Sequence, residues 1–369
     1  MEKQKKSNKK KWLKRIAIVM ASLFIIFIAI ILFIRSEWGQ NIIVSKAVNY
    51  LQEKTQTEVN IDKLYVTFGG NVLLEGLYVE DKAKDTLLYS ESLEASIGIL
   101  PLIRGSAFEL ESLDWSGVRA TIEREEGKED YNFQFLIDAF VTADTTQVPT
   151  SESEGMDIVL GDIMISDIQA VFNDGVLGIQ SKYRIGSLET EVDLFDLDSM
   201  HFEVDEFHLK DTKLHYKQFK PLPVSEDTTE VPLPKISVGE LSLQNVSGIY
   251  DAPVDQLFAK TKIVNLELQE SSIDLSLQSI TSEELVFSDS NIFFKSMSAK
   301  PEVNSSFSDS TQTKPVQFTW PEWTIESESI NIDNSDIVLQ FKENIENPTV
   351  FDPEFMKFKD LTIISNQLK

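Results

Sequence analysis

From residue 59 onward apolar side chains recur at every second position, and that alternation restricts most of this chain to sheet. Successive side chains of a strand point to opposite faces, so a period of two marks a sheet with one apolar face. Val59, Ile61, Leu64, Val66 and Phe68 show it, as do Val72, Leu74, Leu77 and Val79, then Leu93, Ala95, Ile97 and Ile99. Within the pattern a short unit repeats: apolar, any, apolar, any, then Asp, Asn or Gly. It occurs at Leu77/Val79/Asp81, Leu113/Trp115/Gly117, Ile163/Ile165/Asp167, Phe207/Leu209/Asp211, Leu241/Leu243/Asn245, Leu285/Phe287/Asp289 and Ile330/Ile332/Asn334. The intervals are 36, 50, 44, 34, 44 and 45 residues. In the first five copies a further apolar residue stands three places earlier: Leu74, Leu110, Leu160, Val204 and Val238. The spacing predicts one strand-turn-strand unit per period, stacked into an elongated, repetitive sheet. A looser eighth copy, Phe358/Leu361/Ile363 with Asn366, places the end of the sequence inside a unit, at a bare sheet edge.

Ahead of the strands, Ile16 to Ile34 is a run without a charge, in which Ser22 is the single polar side chain. As a helix rising about 1.5 Å per residue it would span about 28 Å, close to the hydrocarbon core of a bilayer. Signal-peptide cores are shorter and end in a small-residue cleavage site. This run ends in LFIRSEWGQ, so it reads as a retained transmembrane anchor whose length is marked by Ile16, Leu23, Phe27 and Ile34. Residues 1–15 carry a net charge of +7, which leaves −33 for the rest of a chain totalling −26. Basic residues collect on the cytoplasmic side of anchors, so the amino terminus is expected inside and everything beyond Arg35 outside.

Ser36 to Lys54 reads as a short amphipathic helix next to the membrane, with Ser36 as N-cap and Val44, Ala47, Val48 and Leu51 on one stripe. Residues 57–143 form a first β region in which Pro101 ends a ladder and Phe108 to Glu125 reads as a strand pair. A short helix over 131–141 closes that region, with Phe133, Leu136, Ile137 and Phe140 on one face. Residues 144–157 are a polar linker, and 158–369 are repetitive strand interrupted by polar breaks at Val224–Lys235 and Lys300–Trp320. No helix of ten residues is predicted after position 145.

The strongly acidic exported part argues against nucleic acid as a partner. The chain has no cysteine, which removes disulfides, thiolate metal sites and cysteine nucleophiles. P-loop, G-x-G-x-x-G, G-x-S-x-G and H-E-x-x-H motifs are all missing, so no catalytic residue, cofactor site or enzymatic activity is predicted. His201, His208 and His215 are seven apart, a spacing that alternates faces in a strand and does not converge on a metal. Asp193, Asp196 and Asp198 lack the glycine and the bidentate glutamate of a calcium loop.

The stretch from Leu93 to Phe140 resembles the N-terminal region of the AsmA and TamB superfamily. The resemblance lies in the leucine-proline-leucine-x-arginine-glycine turn of Leu100 to Gly105, the following strand, the hairpin at Gly127 and the segment led by Asn132. The basic tail, single anchor and adjoining helix match as well. The resemblance implies a non-catalytic protein of a diderm cell envelope, single-pass in the inner membrane with its bulk in the periplasm. It further implies a β-groove whose apolar inner face carries phospholipid between inner and outer membrane. Leu77, Leu113, Ile163, Phe207, Leu241, Leu285 and Ile330 are the expected groove-lining residues. An alternative is an assembly-module component that pairs a sheet edge with other polypeptides, an outer-membrane barrel protein among them. Read from the residues alone, a closed β-sandwich remains as good a use of one apolar face, since no helices are left to cover it.

Overall fold

The computed structural model describes residue 33 and residues 36–66, 70–104, 107–140, 157–221, 233–297, 324–343, 352 and 354–368. The protein is mainly β, and its strands form one large sheet. In chain order the elements are α1 (Glu37–Thr55), β1 (Val59–Asn60), β2 (Lys63–Val66), β3 (Asn71–Glu80), β4 (Thr86–Ile97), α2 (Ile99–Arg104), β5 (Ala107–Arg124) and α3 (Gln134–Phe140). There follow β6 (Asp157–Asp174), β7 (Ile179–Asp196), β8 (His201–Lys210), β9 (Lys213–Gln218), β10 (Lys235–Ala252) and β11 (Leu257–Asp274). The last are β12 (Ser279–Ser288), β13 (Asn291–Ser296), β14 (Thr324–Gln340) and β15 (Phe355–Leu368). Of the anchor run Ile16 to Ile34, only Phe33 is among the described residues, and Ile16, Leu23, Phe27 and Ile34 lie outside them. Among the described residues no helix is long and apolar enough to cross a membrane.

Helix α1 starts where its cap dictates: Ser36 is extended, and its Oγ accepts the Gly39 N–H at 3.0 Å. The helix ends at Gln56, which takes a left-handed conformation. Leu51, on its half-buried stripe, meets Val59, Val79 and Leu87 at the first end of the sheet, joined by Phe133, Phe135 and Leu136 from around α3. Ile137 and Phe140 stay exposed instead of joining that face.

Most neighbouring strands are antiparallel, but β5–β6, β8–β10 with its continuation β9–β10, and β12–β14 with its continuation β13–β14 are parallel. A parallel junction requires the chain to travel back along the whole strand before pairing again. The polar stretches of the sequence fall at these three returns, between Arg124 and Asp157, Gln218 and Lys235, and Ser296 and Thr324. The residues on either side of the first return share one sheet, since β5 pairs with β6 from Ala107↔Asp157 to Arg124↔Asp174.

Three expectations are corrected. Phe108 to Glu125 is one 18-residue strand, not a pair, because Gly117 kinks the chain without reversing it. The structural repeat holds two copies of the sequence unit, not one. Ile163 and Phe207 lie on either side of the returning strand β7, and Leu241 and Leu285 on either side of β11. The remaining intervals of 50, 34 and 45 residues are the offsets of the parallel pairs themselves. Finally, the eighth copy belongs to β15, which runs antiparallel to β14 and is a return strand rather than a new unit.

Asp81 closes the first unit at a hairpin, but the Asp, Asn or Gly that closes each of the other six is not a turn. Gly117, Asp167, Asp211, Asn245, Asp289 and Asn334 all have positive φ, between 44° and 64°, inside or between collinear strands. Their neighbours in register are 116↔166 and 118↔168, 210↔244 and 213↔247, 288↔333 and 291↔336, so these residues stand side by side. Left-handed backbone is open to Gly and tolerated by Asn and Asp, which explains the residue choice. At Gly117 a Cβ would also lie 2.4 Å from Cβ of Glu91. The line is tied across strands by side chains. Asn245 Nδ2 donates to Asp211 Oδ1 and Asn334 Nδ2 to Asp289 Oδ1, each at 2.6 Å, while Arg119 donates to Asp167 Oδ2 at 2.7 Å. Past the kink the less exposed positions change parity, from Ile163 and Ile165 to the buried Ile168, and from Leu241 and Leu243 to the buried Val246. A second irregular line accounts for the apolar residue three places ahead of each unit. There Gly161 packs so close to β5 that a Cβ would lie 2.4 Å from the Glu111 carbonyl oxygen, and Glu270 has positive φ.

A β-branched side chain at a left-handed position costs about 1–2 kcal/mol in backbone strain. Asn245→Val adds a lost hydrogen bond of about 1 kcal/mol and should lower chemical-denaturation stability by about 2–3 kcal/mol. Asn245→Gly, which keeps the conformation, should cost no more than about 1 kcal/mol in the same measurement.

Tight hairpins begin at Asp81, Asp174, Asp196 and Asp274, whose carboxylates accept the next backbone N–H groups. Asp174 is the extreme case, 1% exposed. Burial by itself would raise its pKa, but hydrogen bonds from Arg124, the Leu177 and Val176 amides and the Tyr131 hydroxyl outweigh burial and hold it at about 2. The guanidinium of Arg124 also stacks 4.6 Å from the centre of the Tyr131 ring, which ties α3's approach to the β6–β7 hairpin. With the folded pKa below the unfolded one, Asp174 stabilises the fold above pH ~4 and loses that contribution as pH falls through about 2, on the order of 2 kcal/mol in all. Unfolding midpoints measured from pH 6 to pH 2 should fall less steeply in Asp174→Asn, which starts less stable at pH 6.

A candidate apolar track across the sheet

With register known, the repeated residues assemble into rows at right angles to the strands. One row runs Val72, Ala95, Leu113, Ile163, Thr190, Phe207, Leu241, Leu268, Leu285 and Ile330, each paired with the next. Six of the seven residues expected to line a groove therefore come together in one row. Leu77 does not join them. It lies on the far side of the kink at Gly76, opposite Ser90, and packs on the Val79 and Leu87 cluster, while Val72 holds the position in the row.

Two residues farther along each strand is a row without a polar member: Leu74, Leu93, Trp115, Ile165, Leu188, Leu209, Leu243, Leu266, Phe287, Ile332 and Ile363. Repetition in the sequence exposes only the members on β5, β6, β8, β10, β12 and β14. Leu188, Leu266 and Leu268 come from the returning strands, which carry no copy of the unit, and only pairing register reveals them. Past the kink the same face continues through Val118, Ile168, Ile185, Val246 and Ile263.

This face is not packed as a core. Among the described residues the side chains below 2% exposure are Thr55, Thr212, Asp174, Ser90, Ser181, Ser290, Ser335 and Ala252, with no large apolar residue among them. Leu113, Ile163, Phe207, Leu241 and Leu285 are half-buried and Ile330 is buried. Among the described residues α1 and α3 pack at the first end of the sheet, around Val59, Val79 and Leu87, α2 lies against β5, and no second layer covers the rows. Small polar side chains are buried along the kink line because they satisfy it: Ser290 Oγ accepts the Val264 N–H at 2.9 Å, and Trp115 Nε1 donates to Ser90 Oγ at 2.8 Å.

The opposite face is polar and divided by the kink line. On one side it is acidic, with Asp162, Glu191 and Glu206 in one row. There Asp162 raises the pKa of Glu191, with burial, Asp205, Asp193 and Glu206 acting in the same direction. On the other side it is basic. The histidines fall in different rows, opposite Asp196, Glu189 and Lys182 respectively, and among the described residues no three ligand-type side chains gather for a metal. Asp196 serves its own hairpin, accepting from the Asp198 and Ser199 amides.

Set against known proteins, the chain matches no family model, no curated protein and no solved structure.

Within the first row Thr190 is the polar exception, and its Oγ1 is buried with no hydrogen-bond partner among the described residues. An unpartnered buried hydroxyl costs about 1–3 kcal/mol. Thr190→Val, of nearly equal shape, should therefore raise the thermal unfolding midpoint, whereas a hydroxyl with a structural role would make it fall.

Proposed function

We propose that this protein is a non-catalytic, membrane-anchored carrier of phospholipid acyl chains, held on the apolar face of a curved single-layer sheet. The observation that carries the reading is the unbroken apolar row from Leu74 to Ile363, crossing the whole sheet with no described element over it. An apolar face of that extent must be covered by protein or by a ligand, because soluble proteins rarely leave large continuous apolar patches to water. Aligned left-handed residues supply the curvature, as kinks and bulges do in other sheets. Curvature also explains why Ile165, Leu188, Leu209 and Leu243 are half-buried while Met164, Glu189 and Lys210 behind them are exposed. An acyl chain matches such a track better than a peptide does, since the rows offer no backbone or side-chain hydrogen bonds to read one.

The uncharged run Ile16–Ile34 and the basic tail before it support an inner-membrane anchor with the sheet on the far side. The resemblance at Leu93 to Phe140 to the AsmA and TamB superfamily supports the same reading, with outer-membrane lipid supply as the role it implies. The second reading, strand pairing with a partner polypeptide, is supported by β15, which among the described residues is paired on one side only and leaves Ile364 77% exposed.

A photoreactive amino acid tests the first reading. Placed at Leu243 it should capture phospholipid in cells, and placed at Ser242, its neighbour on the other face, it should not. Leu241→Asp puts a charge in the path of an acyl chain at a cost of several kcal/mol, yet leaves that charge able to reach water. Lipid capture at Leu285 should then drop several-fold in Leu241→Asp while thermal unfolding moves by only a few degrees. Equal capture at Ser242 and Leu243, or undiminished capture at Leu285 in a folded Leu241→Asp protein, overturns the proposal.

A further inference from the structure

The basic side of the polar face forms a trough of about 620 Å³ in a chain whose net charge is −26. Its walls are two rows of side chains. The first is Arg119, Gln169, Arg184, Lys213, Ser247 and Lys262, and the second Thr121, Val171, Lys182, His215, Ile249 and Lys260. The row between them contributes to the floor, and no residue of the next rows outward on the apolar face lines the trough. The cations therefore rise on the side away from the lipid track, because side chains two apart share a face.

Among the described residues no carboxylate lines this trough. Asp167 and Asp211, on the kink line, are held by Arg119 and Asn245, and Glu123 and Asp251, in the next row on the other side, are held by Asn173 and Lys217. Lys182, Arg184, Lys213, Lys260 and Lys262 are exposed, and among the described residues none of them makes an ion pair. Like charges gathered without partners repel one another, so the trough is relieved when an anion enters it. Arg184 and Lys213 face each other on adjacent strands, about 5 Å apart at the backbone, with Lys182 two residues along. Lys260 and Lys262 stand two strands beyond Lys213, about 10 Å away, with Ser247, Gly248 and Ile249 between. Two cationic clusters are thus separated by an uncharged strand. A guanidinium with ammonium groups around it suits a phosphate better than a lone carboxylate.

We propose that this trough is a binding site for an anion bearing two phosphate groups about 10 Å apart, distinct from the apolar track on the other face. A broad anionic surface fits less well, because the acidic rows through Glu189 and Glu206 lie on the same polar face beyond the kink line and would be brought against it. The proposal does not depend on lipid carriage, and either can fail alone.

Short-chain inorganic polyphosphate serves as the soluble probe, titrated calorimetrically into the full chain at low and moderate salt. Binding should weaken as salt rises, and weaken at least tenfold in Arg184→Ala/Lys213→Ala. The charge-matched control Lys46→Ala/Lys128→Ala should bind as the parent does, with circular dichroism reporting an intact sheet in both. A second arm uses phosphatidylcholine vesicles with and without cardiolipin, a lipid carrying two phosphates. Capture of cardiolipin vesicles that is lost in the trough variant identifies a headgroup source, and polyphosphate binding alone identifies a soluble one. The proposal is overturned by no polyphosphate binding at low salt, or by equal weakening in the control. It is also overturned if sedimentation shows copies of the chain associating through the trough, with Arg184→Ala/Lys213→Ala restoring the monomer.

Discussion

Among the described residues no second layer packs against the rows of this sheet, so the backbone ladder holds it together, and the left-handed residues bend that ladder. A strand that changes direction alone would break hydrogen bonds with both neighbours. Here Gly117 and Asp167, Asp211 and Asn245, and Asp289 and Asn334 bend as pairs, so the ladder resumes on both sides with no residue gained or lost. The Asn–Asp contacts and the Arg119–Asp167 pair lock the bend across the parallel junctions. Serines bury there because a small hydroxyl can accept an amide that the kink has turned away from its ladder partner.

The kink line also organises the chemistry of both faces. It changes which parity of residue points to the apolar side, which is why the units read apolar-x-apolar and then shift by one after Asp, Asn or Gly. On the polar side it separates rows dominated by carboxylates from rows dominated by lysine and arginine. Mutual repulsion is visible at Glu191, whose pKa is raised mainly by Asp162. Charges of one sign have been gathered on each side rather than interspersed, at some expense in folding stability, and such expense usually marks a surface that meets something else.

Much of this was legible beforehand, and the rest was hidden for physical reasons. Alternation at Leu93, Ala95 and Ile97 gave strand, Ser36 gave the start of α1, and the polar stretches marked places where the chain stops pairing locally. The identity of Asn245 or Asp211 suggested a turn, since those residues are commonest there, and nothing in a single strand shows that its neighbour bends at the same level. Leu77 looked equivalent to Leu113 because β3 has its own kink at Gly76, ahead of the matching pattern. The basic trough was invisible, because Arg184, Lys213 and Lys262 become neighbours only through pairings, by way of Ser247, that span 29, 34 and 15 residues. Faces are properties of register, and register across a parallel junction is set by a return segment that carries no pattern of its own.

The parallel junctions have a consequence for how the molecule comes apart. Each group of strands touches only the groups beside it, so cohesion is a chain of nearest-neighbour links rather than a common centre. Such an assembly is expected to fray inward from its lateral edges, with amide exchange slowest near β7 to β10 and faster toward β15. It also follows that lengthening the array by another up-down-up group would extend the apolar rows without disturbing those already formed. The distance such a sheet spans would then be set by repeat number, independently of the chemistry of any one strand.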